Sequence, residues 1–409
     1  MKLVVIGAQW GDEGKGKIVD FLARGAGIVL RYGGGANAGH TVVVGGQTFK
    51  FHLIPSGIVY PQTVVVLGIG MVVDPAILFE ELDELAGRGV SWQGRVLLSD
   101  RAHLVLPRYK ELDRRLDQER RKPLGTTGRG IGVTYTLKAQ RDGIRVVDIF
   151  DRAVWEDLGR EDREFLQPLK DRIAGLLVDV SRFVSEHGES DILLEGAQGT
   201  LLDLDFGTYP FVSSGISSAA GAAVGAGIGP TAIDRALGVF KAYSTRVGNG
   251  PFPTEFTAER DGSLGETIRE KGREYGVTTG RPRRCGYLDL VALRYACRSN
   301  SLDSLILTKL DIYDGLEEIK ACTAYEVDGR RIDDFPASVA SLAKARPVLH
   351  SLPGWKGSAS PCRAYGDLPQ EARNYIRFIE EAVGTPVSLV SVGCERAQTI
   401  VRKDPWTRS

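Results

Sequence analysis

Between Gly11 and Lys17 the sequence reads GDEGKGK, a glycine-rich stretch holding two carboxylates, Asp12 and Glu13, and two ammonium groups, Lys15 and Lys17. With the glycines Gly11, Gly14 and Gly16 it satisfies G-x-x-x-x-G-K. In such loops backbone N–H groups and a helix N-terminus cradle phosphates, while a Ser or Thr hydroxyl binds Mg²⁺. Here the hydroxyl position is Ile18. Asp12 is the candidate substitute, because Mg²⁺ favours carboxylate oxygens together with substrate phosphates. A plain turn with exposed acids would account for the glycines, but not for the apolar run before them or the paired lysines after.

Far downstream, Thr308, Lys309, Leu310 and Asp311 end another apolar run and match the [NT]KxD element of GTP-binding proteins. An Asp carboxylate accepts from both guanine N1–H and the exocyclic amine, and adenine offers no such donor pair on that edge. Four residues alone fit a polar strand-end turn equally well; with a phosphate loop in the same chain they favour GTP over ATP. Three further stretches exceed what one nucleotide needs. RYGGGANAGHT carries Asn37, Ala38, Gly39, His40 and Thr41, GTTGRGIG carries Thr126, Thr127 and Arg129, and VTTGRPRRCG carries Arg281, Arg283 and Arg284. Glycine loops allow close backbone approach, and clustered arginines suit phosphates or carboxylates. A structural loop histidine, a simple turn and a solvated charged face are the respective alternatives.

These groups must be carried by a scaffold, and the composition bounds it. The 409 residues are 43% hydrophobic and 25% charged, with 52 basic and 52 acidic side chains, so no global field recruits nucleic acid or an anionic membrane. Fifty glycines imply many tight loops. Five cysteines without a CxxC pair fit neither a zinc ribbon nor a disulfide framework, and point to a reducing, cytoplasmic setting. Apolar runs beginning at Leu3, Thr41, Val64, Asp191, Ser304 and Val387 alternate with helical patterns. This is the texture of an α/β protein with a large, mostly parallel central sheet flanked by helices. Gly7, Gly68, Gly196, Lys309 and Gly393 are expected near strand ends, where open α/β sheets bind ligands. Extra helical segments are expected around 100–122 and 151–188. The stretch ARNYIRFIEEAVG predicts an amphipathic helix with Tyr375, Phe378, Ile379, Ala382 and Val383 on one face and Gly384 as cap.

The stretches QWGDEGKGK, GGANAGHT, GTTGRGIG, EGAQGTLLD, GTYPFVSS, KAYSTRVGNGPFPTE, TTGRPRRCG and TKLD, in this order, resemble the adenylosuccinate synthetase family from Val4 to about Arg396. The resemblance implies one synthetase domain over 1–409, with helical subregions near 100–190 and a guanine-binding part near 300–409. It implies GTP-dependent joining of IMP and L-aspartate with Mg²⁺, through 6-phosphoryl-IMP. Asp12 would be both metal ligand and base, His40 the acid-type partner, and the Gly39 carbonyl a second metal ligand. GTP would meet residues from Gly11 to Lys17, Gly39, His40, Thr41, Arg283, Lys309, Leu310, Asp311, Ser391, Val392 and Gly393. IMP would meet Asp12, Glu13, Gly14, Lys15, Asn37, Ala38, Gly39, His40, Thr127, Gln198, Ser213 and Arg281. Arg141 would reach the IMP of a neighbouring subunit in a homodimer. Val277, Thr278, Thr279, Gly280, Arg281, Pro282 and Arg283 would enclose L-aspartate. The chain departs from the pattern at Ser213, where a threonine is usual, at Gly248-Asn249-Gly250, and in shorter segments before GTTGRGIG and between Asp151 and Asp191. The competing class is a GTP-hydrolysing switch or GTP-regulated binding protein, which would leave the second set of loops without a purpose.

Overall fold

The apolar runs become strands covered on both faces. In the computed structural model, Ile28–Gly34, Ser304–Thr308 and Val387–Ser391 are buried along their whole length, the burial that parallel strands require. The structure describes residues 1–409 except 38, 45–46, 122, 277–279, 281 and 409, and the side chains of residues 40, 41, 43, 44 and 47.

The chain forms two compact units: residues 1–4, 19–197 and 213–234, and residues 5–18, 198–212 and 235–409. Strand Lys2–Gly7 and helix Lys15–Ala23 are each divided between them. In the first unit Ile192–Glu195, Ile28–Gly34, Val64–Val73, Val96–Ser99 and Leu177–Val178 run parallel in that spatial order. In the second, Arg235–Lys241, Ser304–Thr308 and Val387–Ser391 run parallel, with Thr399–Val401 antiparallel at the edge. The expected large, mostly parallel sheet flanked by helices is what the strands build.

The helical segments fall where the sequence places them. Helix Pro107–Glu119 starts with proline at its first turn, where the missing N–H is harmless. The later segment breaks into short helices, Arg152–Asp157, Arg160–Leu166, Lys170–Ala174 and Val180–Glu186; the Asp151 and Asp179 carboxylates cap the first and last. Helix Gln370–Val383 buries Ala372, Tyr375, Ile376, Ile379 and Val383 and ends at Gly384 with φ 71°, so Ile376 belongs to the apolar face and Phe378 lies at its half-buried margin. No helix among the described residues is long and apolar enough to cross a membrane.

Two expectations are corrected. The run from Thr41 does not join the parallel sheet: His40–Val44 pairs antiparallel with Gln47–Phe51. Only two residues separate these strands, whereas a parallel crossover needs a dozen or more. Gly68 lies inside strand Val64–Val73 rather than at its end. A Cβ there would stand 2.5 Å from the Gly225 carbonyl oxygen and 2.8 Å from that of Arg31, so the glycine admits helix Ala220–Ala226 onto the strand.

Candidate active site

In the second unit, strand residues Val5–Gly7 lead into the loop that precedes helix Lys15–Ala23. Gly11, Asp12 and Gly14 have φ of 82°, 59° and 85°. Glycine takes this left-handed region freely, and Asp is among the side chains that tolerate it. The two carboxylates then part company. Glu13 is wholly buried and accepts from Gln9 N at 3.1 Å, Gly11 N at 2.8 Å and Lys15 Nζ at 2.6 Å. It ties the loop from inside. Gly7 and Gly199 make room for it, since a Cβ at either would lie 2.4–2.5 Å from its carboxylate oxygens. Contact between Glu13 and a nucleotide is left to its main chain. Asp12 keeps 37% of its side chain exposed, and Oδ2 lies 2.7 Å from Arg283 Nε. That nitrogen has no aligned hydrogen-bond acceptor, so the contact is an ion pair. Ile18 is buried in the core.

The TKLD element packs directly on this loop. Thr308 Oγ1 lies 2.6 Å from the Glu13 carbonyl, to which it donates, and 3.1 Å from that of Phe240. Lys309 follows with φ 60° and donates from Nζ to Gly272 O at 2.7 Å. The decisive atom is Asp311 Oδ1, which is buried without a hydrogen-bond partner among the described residues. Burial pushes this carboxyl up, against the nearby Lys309 and Lys17. An acceptor removed from water and left unpaired costs about 1–3 kcal/mol, and a ligand N–H would recover it. Lys17 Nζ donates to Ser391 Oγ at 2.6 Å, Gly393 O at 2.8 Å and Gln398 O at 3.1 Å, binding the glycine loop to the segment Ser391–Gly393. Leu310 and Val392 are core side chains, which leaves their main chain for a base.

A buried charge cluster supports these residues. Glu274 accepts from Lys241 Nζ at 2.8 Å, Tyr243 OH at 2.6 Å and Arg283 Nη1 at 2.7 Å. Burial would raise its pKa, but Lys241 and Lys309 overrule this and hold it at about 2. Arg283 is pulled down by burial and carried above the usual arginine value by Asp12 and Glu274. Gln198, φ 57°, also belongs to this unit. Gly280 has φ 64° and Pro282 is exposed; Val277, Thr278, Thr279 and Arg281 lie outside the described residues.

The first unit holds the remaining candidates. Buried Arg31 donates to Gly33 O at 3.3 Å, Gly35 O at 2.9 Å and His52 O, fixing the glycine turn before Asn37. Burial lowers its pKa against the pull of Glu195 and Glu81. Glu81 accepts from the backbone N–H groups of His52, Leu53 and Ile54. Asn37 is half-buried; a Cβ at Gly39 would meet the His52 ring at 3.3 Å. The His40 and Thr41 backbones begin a strand, while their side chains, like all of Ala38, lie outside the described residues. Thr127 is exposed on a loop pinned to helix Pro107–Glu119: Asp117 accepts from Leu124, Gly125 and Thr126 N, and Asp113 from Gly130 N. Arg141, φ 73°, is exposed at the C-terminus of helix Ile131–Gln140, and Ser213 is half-buried.

Sequence reasoning missed Glu274, Lys241, Tyr243, Arg31, Asp113 and Asp117. Arg31 and Lys241 did signal themselves, as single cations within apolar strand runs; a buried cation demands a buried acceptor.

The family model described as adenylosuccinate synthetase matches residues 4–167 and 158–400. Adenylosuccinate synthetases of Trichormus variabilis and Thermosynechococcus vestitus are each 49% identical, across 98% of this chain and 95% of the relative. The structure of fully ligated adenylosuccinate synthetase from Plasmodium falciparum superposes with a TM-score of 0.92 at 37% identity, covering 98% of this chain and 99% of that one. Cyanophage S-2L succinoaminodeoxyadenylate synthetase, bound to dGMP and dATP as an energy donor, shares the fold at 19% identity, with a TM-score of 0.65 over 98% of this chain and 95% of that one. The chain therefore belongs to the adenylosuccinate synthetase family.

Proposed function

We propose that the loop, the TKLD element and the flanking segments divide the family's reaction among them: GTP-dependent joining of IMP and L-aspartate into adenylosuccinate, with GDP and phosphate released. The observation that supports the nucleotide assignment is the unpartnered Asp311 Oδ1, a buried acceptor of the kind that guanine N1–H and its amine would satisfy. Lys309 and residues Ser391–Gly393 complete the base site, and Gly11–Lys17 with Arg283 take the phosphates. A GTP-hydrolysing switch finds no support in the relatives.

Asp12 is the base. Its carboxylate takes the N1 proton of IMP, so that O6 attacks the γ-phosphate and forms 6-phosphoryl-IMP. His40 donates to the transferring phosphoryl oxygen or to O6. The amino group of L-aspartate then attacks C6 and phosphate leaves, a far better leaving group than the unmodified oxygen. Asn37, Ala38, Thr127, Gln198, Ser213 and Arg281 hold IMP, alongside main-chain contacts from Glu13 and Gly14. The segment from Val277 to Arg283 takes L-aspartate.

The donor set fits Mg²⁺. Asp12 offers a solvent-accessible carboxylate oxygen, the position of the usual hydroxyl is a core isoleucine, and Mg²⁺ needs few protein ligands beside phosphates. Asp12 and the Gly39 carbonyl would hold it, and when bound it supplies neutralisation of phosphate charge. We read 1–409 as one synthetase domain acting as a homodimer, with exposed Arg141 offered across the interface to the partner's IMP. Five unpaired cysteines suit the cytoplasm.

The test is phosphate release from GTP with Mg²⁺, adding IMP and L-aspartate separately and then together, while following adenylosuccinate by absorbance. One-to-one coupling that requires all three substrates supports the reading. Hydrolysis indifferent to IMP and aspartate would overturn it.

A further inference from the structure

We propose that Glu274 is the positioning residue that holds Arg283 against Asp12, so that one buried carboxylate orients a cation presented to GTP. The proposal rests on the assignment of Arg283 to GTP made above. Glu274 itself touches no ligand, because none of its side chain is exposed.

Its two oxygens serve different partners. Oε1 accepts from Lys241 Nζ and Tyr243 OH, while Oε2 accepts from Arg283 Nη1 at 2.7 Å. The Glu274 carbonyl also accepts from Arg283 N at 2.8 Å, so one residue grips Arg283 by main chain and side chain together. The other face of the same guanidinium, through Nε, reaches Asp12 Oδ2 at 2.7 Å. Arg283 thus spans two carboxylates, only one of which is exposed. Its planar fork is fixed by the buried one. Lys309 donates to the Gly272 carbonyl, two residues before Glu274, and feels the same carboxylate charge. If Glu274 served only to neutralise Lys241, one oxygen would suffice.

Three variants of the full chain separate positioning from charge balance. Glu274→Asp keeps the negative charge beside Lys241 but shortens the reach to Arg283. Glu274→Gln removes the charge. Lys241→Met/Glu274→Gln removes both charges of the buried Lys241–Glu274 pair, so that no ammonium is left there without its carboxylate. In each, KM is measured for GTP, IMP and L-aspartate, with the melting temperature and the Kd of a non-hydrolysable GTP analogue. The expected result is a tenfold or greater rise in KM for GTP and in the analogue's Kd for Glu274→Asp, with KM for IMP changed less than twofold. The double variant should melt with the parent and keep the weakened GTP binding. Should Glu274→Gln fail to fold, Glu274→Asp and the double variant decide. Parent-like GTP affinity in folded Glu274→Asp, or its recovery in the double variant, would overturn the proposal. A parent that binds the analogue yet never couples IMP to aspartate would instead refute the ligase reading and leave the analogue's Kd to judge Glu274.

Discussion

Replacing Glu13 by alanine removes a carboxylate that no solvent reaches but that two loop N–H groups and one ammonium depend on. Each buried N–H deprived of its acceptor costs about 1–3 kcal/mol. Lys15, with 12% of its side chain exposed, can turn to water, so losing its ion pair adds about 1 kcal/mol or less. The total is roughly 2–7 kcal/mol. A cooperative unit of roughly 200 residues loses about 2–4 °C per kcal/mol. A fall of about 4–28 °C is therefore expected in a thermal melt without ligands. Glu13→Gln keeps an acceptor for Gln9 N and Gly11 N but sets a donor nitrogen before Lys15 Nζ, losing that ion pair with the charge, so its melting point should fall by less than that of the alanine variant. The alanine variant should bind GTP weakly because the loop is no longer preformed. An alanine variant that melts with the parent while losing IMP affinity would show that the carboxylate contacts substrate and does not tie the loop.

Asp311→Asn should raise KM for GTP tenfold or more and erode preference over ATP or XTP, since a charge-assisted acceptor is worth about 1.5–3 kcal/mol; unchanged preference would place base recognition elsewhere. Asp289 is pushed up to about 6 by burial, against help from the Tyr325 hydroxyl at 2.6 Å and the Ala292 N–H at 3.0 Å. A raised acid favours the folded state below its unfolded pKa near 4 and loses that contribution as pH rises through 6, about 3 kcal/mol in all. Asp289→Asn keeps an acceptor oxygen for the Ala292 N–H, turns an amide donor toward the Tyr325 oxygen and has no charge to bury, so it should gain stability relative to the parent as pH rises from about 4 to about 6.5; denaturant midpoints that differ by a constant across this range would exclude the mechanism. Chelation with EDTA should abolish turnover while leaving the ligand-free melting temperature unchanged, because Asp12 is already paired with Arg283; a falling melting temperature would mean that a metal supports the fold.

The candidate nucleotide-binding parts were legible because they are local. A glycine loop following a strand, TKLD at the end of another, and the amphipathic stretch closing at Gly384 all state their geometry within a few residues. Backbone conformation and periodicity are short-range properties, so the parallel α/β class and the positions of the loops followed from the sequence itself. Burial is long-range. Whether Asp12 or Glu13 faces solvent depends on Gly199, almost two hundred residues away, leaving a space that the Glu13 carboxylate fills. The Glu274 cluster draws Lys241, Tyr243 and Arg283 from separate segments, and no spacing announces it. The run at Thr41 reads as another buried strand, yet its pairing was decided by how few residues separate it from Gln47–Phe51. The sequence by itself determined which groups could do chemistry and the class of sheet that carries them; tertiary packing decided which of those groups keep water and which are spent holding others in place, because charge, desolvation and hydrogen bonding act through space and not along the chain.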